Sequence, residues 1–244
     1  MEGKGSSHFR LVDACHQRGC PVCRCLVAAS RGHLKALLHE QVTDPETRRK
    51  IRLSWGFCNW HTWMLADIAG STFGTAIVYE DLVGRLLRRT ADLRQRPRAA
   101  GWLRGLRRRR PRATLAELWK RRTACPGCVE AAATETRYLD TLLAHIEDET
   151  LRAAYTLSDG LCAPHLVLAV ERDHPNAATL ITRTRQAWAR LGRDLSAFVG
   201  KHDHRNRQPY TEAEAAACAR ALETLAGAPA VFGNVRDSAP RPAR

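Results

Sequence analysis

A chain of 244 residues with 44% hydrophobic content can bury one large core or two smaller ones, and its composition excludes a wholly disordered polypeptide. No apolar run approaches the roughly 18 residues that a membrane-spanning helix needs, and the opening MEGKGSSHFR lacks the apolar stretch of a secretory signal, so no membrane insertion and a cytoplasmic location are expected. The formal net charge of +14 is concentrated, with thirteen arginines and Lys120 between Arg88 and Arg122 against Asp92 and Glu117.

In chain order, the first organised stretch is expected over residues 8–93. It carries Cys-Pro-x-Cys at 20–23, a helical segment to about 43–46, and Cys-x-x-His at 58–61. Asp44 is placed to cap a helix that Pro45 opens, because proline's missing N–H costs nothing in a first helical turn. Gly56 stands where a helix would stop and turn left-handed. Residues 94–113 combine proline, glycine and like charges, which argues for an Arg-rich linker with a short basic helix around 101–110.

A second helical stretch is expected over 114–200, with Cys-Pro-x-Cys at 125–128 and Cys-x-x-His at 162–165. Val129, Ala132, Thr136, Leu139, Leu143 and Ile146 advance in threes and fours, as do Leu180, Thr184, Trp188, Leu191, Leu195 and Phe198. Gly160 repeats the role assigned to Gly56. A loop and helix follow over 201–227, where Thr211 and Glu214 form a capping-box signature for a helix ending near Ala226. The tail 228–244 is expected to be disordered.

The two stretches share one template. Cys20 to Cys125 is a shift of 105 positions, Cys58 to Cys162 a shift of 104, and LSWGFCNWH at 53–61 lies over LSDGLCAPH at 157–165. HLKALL and YLDTLL hold the same alignment between them, the signature of internal duplication. Period-two alternation is scarce. The fold class expected is all-α: two homologous helical units, each clipped by a Cys3His site, plus a C-terminal helix.

Nine cysteines in a chain read as cytoplasmic point to metal or redox chemistry rather than structural disulfides. If a helical hairpin returns each copy of the motif to its starting end, Cys20 and Cys23 meet Cys58 and His61, and Cys125 and Cys128 meet Cys162 and His165. Three thiolates and an imidazole form a complete tetrahedral set with no vacancy for water, so two structural zinc ions are expected. The CPxC motif also suits a thiol oxidoreductase or a zinc-linked redox sensor; the oxidoreductase reading requires a βαβ context that the sequence does not offer. Haem attachment is excluded, because Arg24 and Val129 rather than histidine follow the two CxxC motifs.

Cys15 and Cys25 read as spare buried thiols and Cys218 as a packing residue. Trp55, Trp60 and Trp63 read as aromatic cover over a metal clip, and the HDH at 202–204 as a polar loop. No nucleophile elbow, phosphate-binding glycine loop or HExxH occurs, and Glu147, Asp148 and Glu149 suit a solvated helix end. A binding or regulatory role is therefore expected rather than catalysis. Nucleic acid is a candidate partner through Arg104, Arg107, Arg108, Arg109 and Arg110, alongside a protein partner. The bland account of the same segment is coding bias, since Arg outnumbers Lys by 34 to 5.

The segments GCPVC (19–23), HEQVTDP (39–45), GFCNWH (56–61), CPGC (125–128), GLCAPH (160–165) and HDHRNRQPYTEAE (202–214) resemble a family of uncharacterised bacterial proteins. That family is built from repeated CPxC and G[FL]CxxH motifs. The resemblance runs from His8 to about Ala226; it implies a helical fold and zinc ligation at the eight paired positions, and it carries no established activity. The second copy lacks the EQVxDP element, showing HIEDET instead, and the Arg-rich linker is not among the segments that carry the resemblance.

Overall fold

The computed structural model describes residues 5–94, 115–203 and 205–233. Among them there is no strand, as expected for an all-α chain. The helices are α1 (Ser6–Cys15), α2 (Pro21–Glu40), α3 (Pro45–Ser54), α4 (Asn59–Ala66), α5 (Thr72–Arg94), α6 (Leu115–Lys120), α7 (Pro126–His145), α8 (Glu149–Leu157), α9 (Ala163–Val170), α10 (Ala177–Lys201) and α11 (Glu212–Ala226). No described helix is long and apolar enough to cross a membrane. The arginines 104 and 107–110, the helix expected at 101–110 and His204 lie outside the described residues.

Helix lengths recur in order: α2 to α5 run 20, 10, 8 and 23 residues, and α7 to α10 run 20, 9, 8 and 25. The same chemistry sets their ends. Pro21 and Pro126 open α2 and α7 directly after a cysteine. Asp44 and Asp148 cap α3 and α8 by accepting backbone N–H bonds, at 2.7 Å from Thr47 and 3.2 Å from Thr150. Gly56 and Gly160 follow with φ of +94° and +73°, a conformation that side chains disfavour. Thr211 and Glu214 form the complete capping box of α11, which ends at Ala226 as expected.

The chain divides into two compact units, Met1–Ser30 with Glu130–Arg244 (the terminal unit) and Arg31–Val129 (the internal unit). The division falls inside α2 and α7. The units therefore differ from the spans 8–93 and 114–200 expected from the motifs. Each takes most of one motif copy and the thiol pair of the other.

In the terminal unit, α1 packs on α8, and α10 packs on α8, α9 and α11. Leu11, Val22, Leu26, Tyr138, Leu142 and Leu151 belong to one buried cluster. The α7 stripe differs from the expected one: Leu139, Leu143 and Ile146 are buried, but Ala132 and Thr136 are exposed and Val129 is 59% exposed. Thr134, Tyr138 and Leu142 complete the buried face instead. The larger side chains at 138 and 142 bury more apolar area, so they set the rotation of the helix. Of the α10 stripe, Leu180, Thr184 and Leu191 are buried, and Trp188, Leu195 and Phe198 are partly buried.

The internal unit buries Leu34, Leu37 and Leu38 of α2, Ile51 of α3, Leu65 of α4, and Val78 and Leu82 of α5. Arg48 and Arg52 of α3 reach Asp81 of α5 at 3.5 and 2.6 Å. Gly74 lets α5 approach α2: a Cβ there would lie 2.5 Å from the Leu38 carbonyl oxygen.

Tyr155 ties the terminal unit together. Its buried hydroxyl accepts from the Leu161 N–H at 3.1 Å and shares a 2.7 Å hydrogen bond with Thr184. Tyr155→Phe strands both partners, so denaturant unfolding should show a stability loss of about 1–3 kcal/mol.

Candidate metal centres

Each thiol pair sits at the entrance of a long helix and each Cys-x-x-His at the entrance of a short one. Cys20 precedes α2, Cys125 precedes α7, and Cys58 and Cys162 occupy the N-cap positions of α4 and α9. Three-residue spacing at a helix start turns both side chains of a pair toward one point. Buried serines fix the approach to each Cys-x-x-His. Ser54 donates to the Gly56 carbonyl at 2.7 Å; Ser158 donates to the Tyr155 carbonyl at 2.7 Å and accepts from the Gly160 N–H at 3.1 Å. These bonds account for the recurring serine and glycine of Leu-Ser-x-Gly; its leucines are exposed (Leu53 44%, Leu157 81%).

In the terminal unit Cys20, Cys23, Cys162 and His165 converge, all of them buried, with ligand atoms within 4.8 Å of one another. His165 Nδ1 lies 3.4, 3.3 and 3.2 Å from the sulfurs of Cys20, Cys23 and Cys162, and Cys23 and Cys162 Sγ are 3.8 Å apart. Tetrahedral zinc, with bonds of about 2.3 Å to sulfur and 2.0–2.1 Å to nitrogen, would set sulfurs about 3.8 Å apart and sulfur about 3.6 Å from nitrogen. The far side of the ring is occupied as well: His165 Nε2 is 2.9 Å from Glu135 Oε1, an arrangement that fixes Nδ1 as the ligand atom.

The internal unit holds the companion group, Cys58, His61, Cys125 and Cys128. His61 Nδ1 lies 3.1, 3.7 and 3.5 Å from the sulfurs of Cys58, Cys125 and Cys128, and Cys58 and Cys128 Sγ are 3.5 Å apart. His61 is buried against Trp60, ring to ring at 4.5 Å. None of the nine cysteines is in a disulfide.

The protonation pattern suits a cation. Hydrogen bonds from Cys128 and Cys58 drive Cys125 down to about 3, while bonds to Cys125 and Cys58 push Cys128 up. In the terminal unit burial works against the Cys20 thiolate, yet bonds from Cys162, Cys23 and His165 hold its pKa well below the ordinary thiol value. Cys23, bonded to Cys162 and Cys20, is pushed up. One thiolate supported by neighbouring thiols is what such a group sustains alone. Three together need a neutralising cation.

The eight residues thus gather into two Cys3His groups, but with partners exchanged relative to the hairpin expectation. Cys20 and Cys23 meet Cys162 and His165, not Cys58 and His61, and Cys125 and Cys128 meet Cys58 and His61. Helix length is the reason. A 20-residue helix rises roughly 30 Å and its return helix of 10 or 9 residues about half that. The hairpin cannot bring its own two pairs together. Backbone ties reinforce the exchanged match: the Gly19 N–H donates to Asp159 Oδ2 at 2.7 Å, and the Thr123 N–H to the Leu53 carbonyl at 3.1 Å.

Around the centres, Cys15 and Cys25 are spare buried thiols, each pushed up to about 12 mainly by burial. Cys218, expected to pack, is exposed on α11. Among the described tryptophans only Trp60 lies against a site histidine; Trp63 is 65% exposed, and Trp55 pairs with Trp119 at 6.4 Å. Residues 228–233, expected to be disordered, cover the terminal-unit group: Ala228 N–H donates to Cys23 Sγ at 3.4 Å and Phe232 lies 4.9 Å from the His165 ring. Sequence reasoning missed Glu135, Gly127 and this cover. Glu135 and the tail fall outside the repeated motifs, and Gly127 is the variable residue within one.

The chain belongs to a family of unknown function (DUF6062), whose model matches residues 7–230. No curated protein and no solved structure matches it.

Gly127 is needed for space, not for backbone freedom. A Cβ at this second residue of α7 would lie 2.7 Å from the His61 ring. Gly127→Ala should destabilise the chain by about 1–3 kcal/mol in denaturant melts. Gly192→Ala, in open space on α10, should stabilise it by roughly 0.5–1 kcal/mol.

Proposed function

We propose that this chain binds two structural zinc ions, one at each Cys3His group, and serves as a zinc-stabilised binding or regulatory protein rather than an enzyme. The observation that carries the reading is the complete donor set: in each group three sulfurs and one imidazole nitrogen lie within 4.8 Å of one another. Four ligands fill a tetrahedral shell and leave no position for a substrate. The mixture of sulfur and nitrogen favours zinc over an iron–sulfur cluster. Each CPxC pair finds a third thiol and an imidazole, which supports ligation over dithiol exchange. The matching order of helix lengths supports a duplicated architecture behind the two sites.

The residues would supply three thiolates and one neutral imidazole to each ion, with Glu135 orienting His165. The ion would contribute folding free energy by joining segments that the chain alone must hold. The Arg-rich segment 94–113, with Arg104 and Arg107 to Arg110, is the proposed contact for a polyanion such as nucleic acid, with the helical units as its platform. A protein partner and a cytoplasmic location complete the proposal.

Elemental analysis of the purified chain should find close to two zinc ions, and the pairing can be read from double variants. Cys20→Ser with Cys162→Ser should leave one ion, because both ligands belong to one group. Cys20→Ser with Cys58→Ser should leave none. The reverse pattern would restore the unexchanged pairing, and a metal-free chain that takes up no zinc would sink the proposal. For the polyanion contact, binding to random-sequence DNA or RNA should weaken as salt rises, and neutralising Arg107 to Arg110 should flatten that dependence. Affinity indifferent to both would remove nucleic acid from the reading.

A further inference from the structure

We infer that the two metal groups have different duties: the terminal-unit group retains its ion, and the internal-unit group exchanges its ion with solution. This rests on the metal-binding reading above and assigns separate behaviour to its two sites.

The terminal-unit group is closed on every side described. Cys20, Cys23, Cys162 and His165 are 4, 0, 1 and 0% exposed. Glu135 holds the outer nitrogen of His165, and Phe232 lies against its ring. The turn after α11 fits closely over Cys23: a side chain at Gly227 would start 3.6 Å from that sulfur and 2.6 Å from the Phe232 ring. Ion pairs hold α11 in place. Arg220 reaches Asp159 at 2.8 Å and Asp194 at 2.9 Å, and Glu223 takes Arg24 at 2.9 Å. An incoming chelator or competing metal has to displace this cover before it touches a sulfur.

The internal-unit group is built from the same donors without such enclosure among the described residues. Cys58 and Cys128 are partly exposed. The outer nitrogen of His61 is buried with no hydrogen-bond partner among the described residues. A ligating histidine lacking such a partner is less basic and less firmly oriented, a change that commonly lowers metal affinity 10- to 100-fold. Access and weaker ligation act in the same direction. A competing ligand can approach through the two partly exposed cysteines while His61 lets go.

The test uses the full chain loaded with two zinc ions and mixed with excess 4-(2-pyridylazo)resorcinol, which reports released zinc by its colour. Release should occur in two phases of equal size, one ion each, separated at least tenfold in rate. Glu135→Ala should accelerate the slow phase at least tenfold and leave the fast phase unchanged. Wild-type protein provides the check that needs no variant. During the fast phase, iodoacetamide followed by peptide mass spectrometry should label Cys58 and Cys128 while Cys20, Cys23 and Cys162 stay protected; exposed Cys218 reports on reagent. Two ions leaving in a single phase, or early labelling of Cys20, Cys23 or Cys162, would overturn the inference while leaving two-site zinc binding intact. A chain that carries and takes up no zinc would overturn both.

Discussion

The organising constraint in this protein is the convergence of a thiol pair from one motif copy with a Cys-x-x-His from the other. In the terminal unit it brings together side chains 139 to 145 positions apart, and in the internal unit 64 to 70. Pairing within a copy would have joined side chains only 34 to 41 positions apart. Closing the longer terminal loop removes more freedom from the unfolded chain, by about 1 kcal/mol on a logarithmic loop-length dependence. An ion seated there would restrain the beginning of the chain against its second half, which no local helix hairpin does.

Around that convergence the helices act as positioning devices. A helix start offers backbone N–H groups and a three-residue step that turns two side chains to one point, and each group uses two such starts. The serine and glycine before each Cys-x-x-His end one helix and aim the next. These features are the same in both units, which is why the two donor sets match so closely. What surrounds them is not the same. Glu135, Phe232 and the turn at Gly227 attend one histidine; Trp60 and Gly127 attend the other.

Family membership and geometry bear on different questions. Membership places 7–230 in a group without an assigned activity. Geometry speaks to chemistry: two groups of three sulfurs and one imidazole, each able to hold a metal ion.

The residues that could meet a metal were legible in the chain because their spacing carries its own physics. Cys-Pro-x-Cys and Gly-apolar-Cys-x-x-His can be recognised as ligand pairs at helix starts, and Asp44, Pro45, Gly56, Gly160 and Thr211 mark helix ends through local hydrogen bonding and backbone freedom. Helical class and the positions of caps depend on neighbours within a few residues, so the sequence alone determined them. Which pair meets which did not follow, since it depends on how far a 10-residue helix returns along a 20-residue one and on contacts between segments far apart in the chain. The rotation of α7 onto Tyr138 and Leu142, the service of Glu135 to His165 and the folding of Ala228 and Phe232 over Cys23 are of the same kind. Only tertiary packing decides them, because burial and long-range hydrogen bonds select among faces and partners that local sequence leaves equivalent.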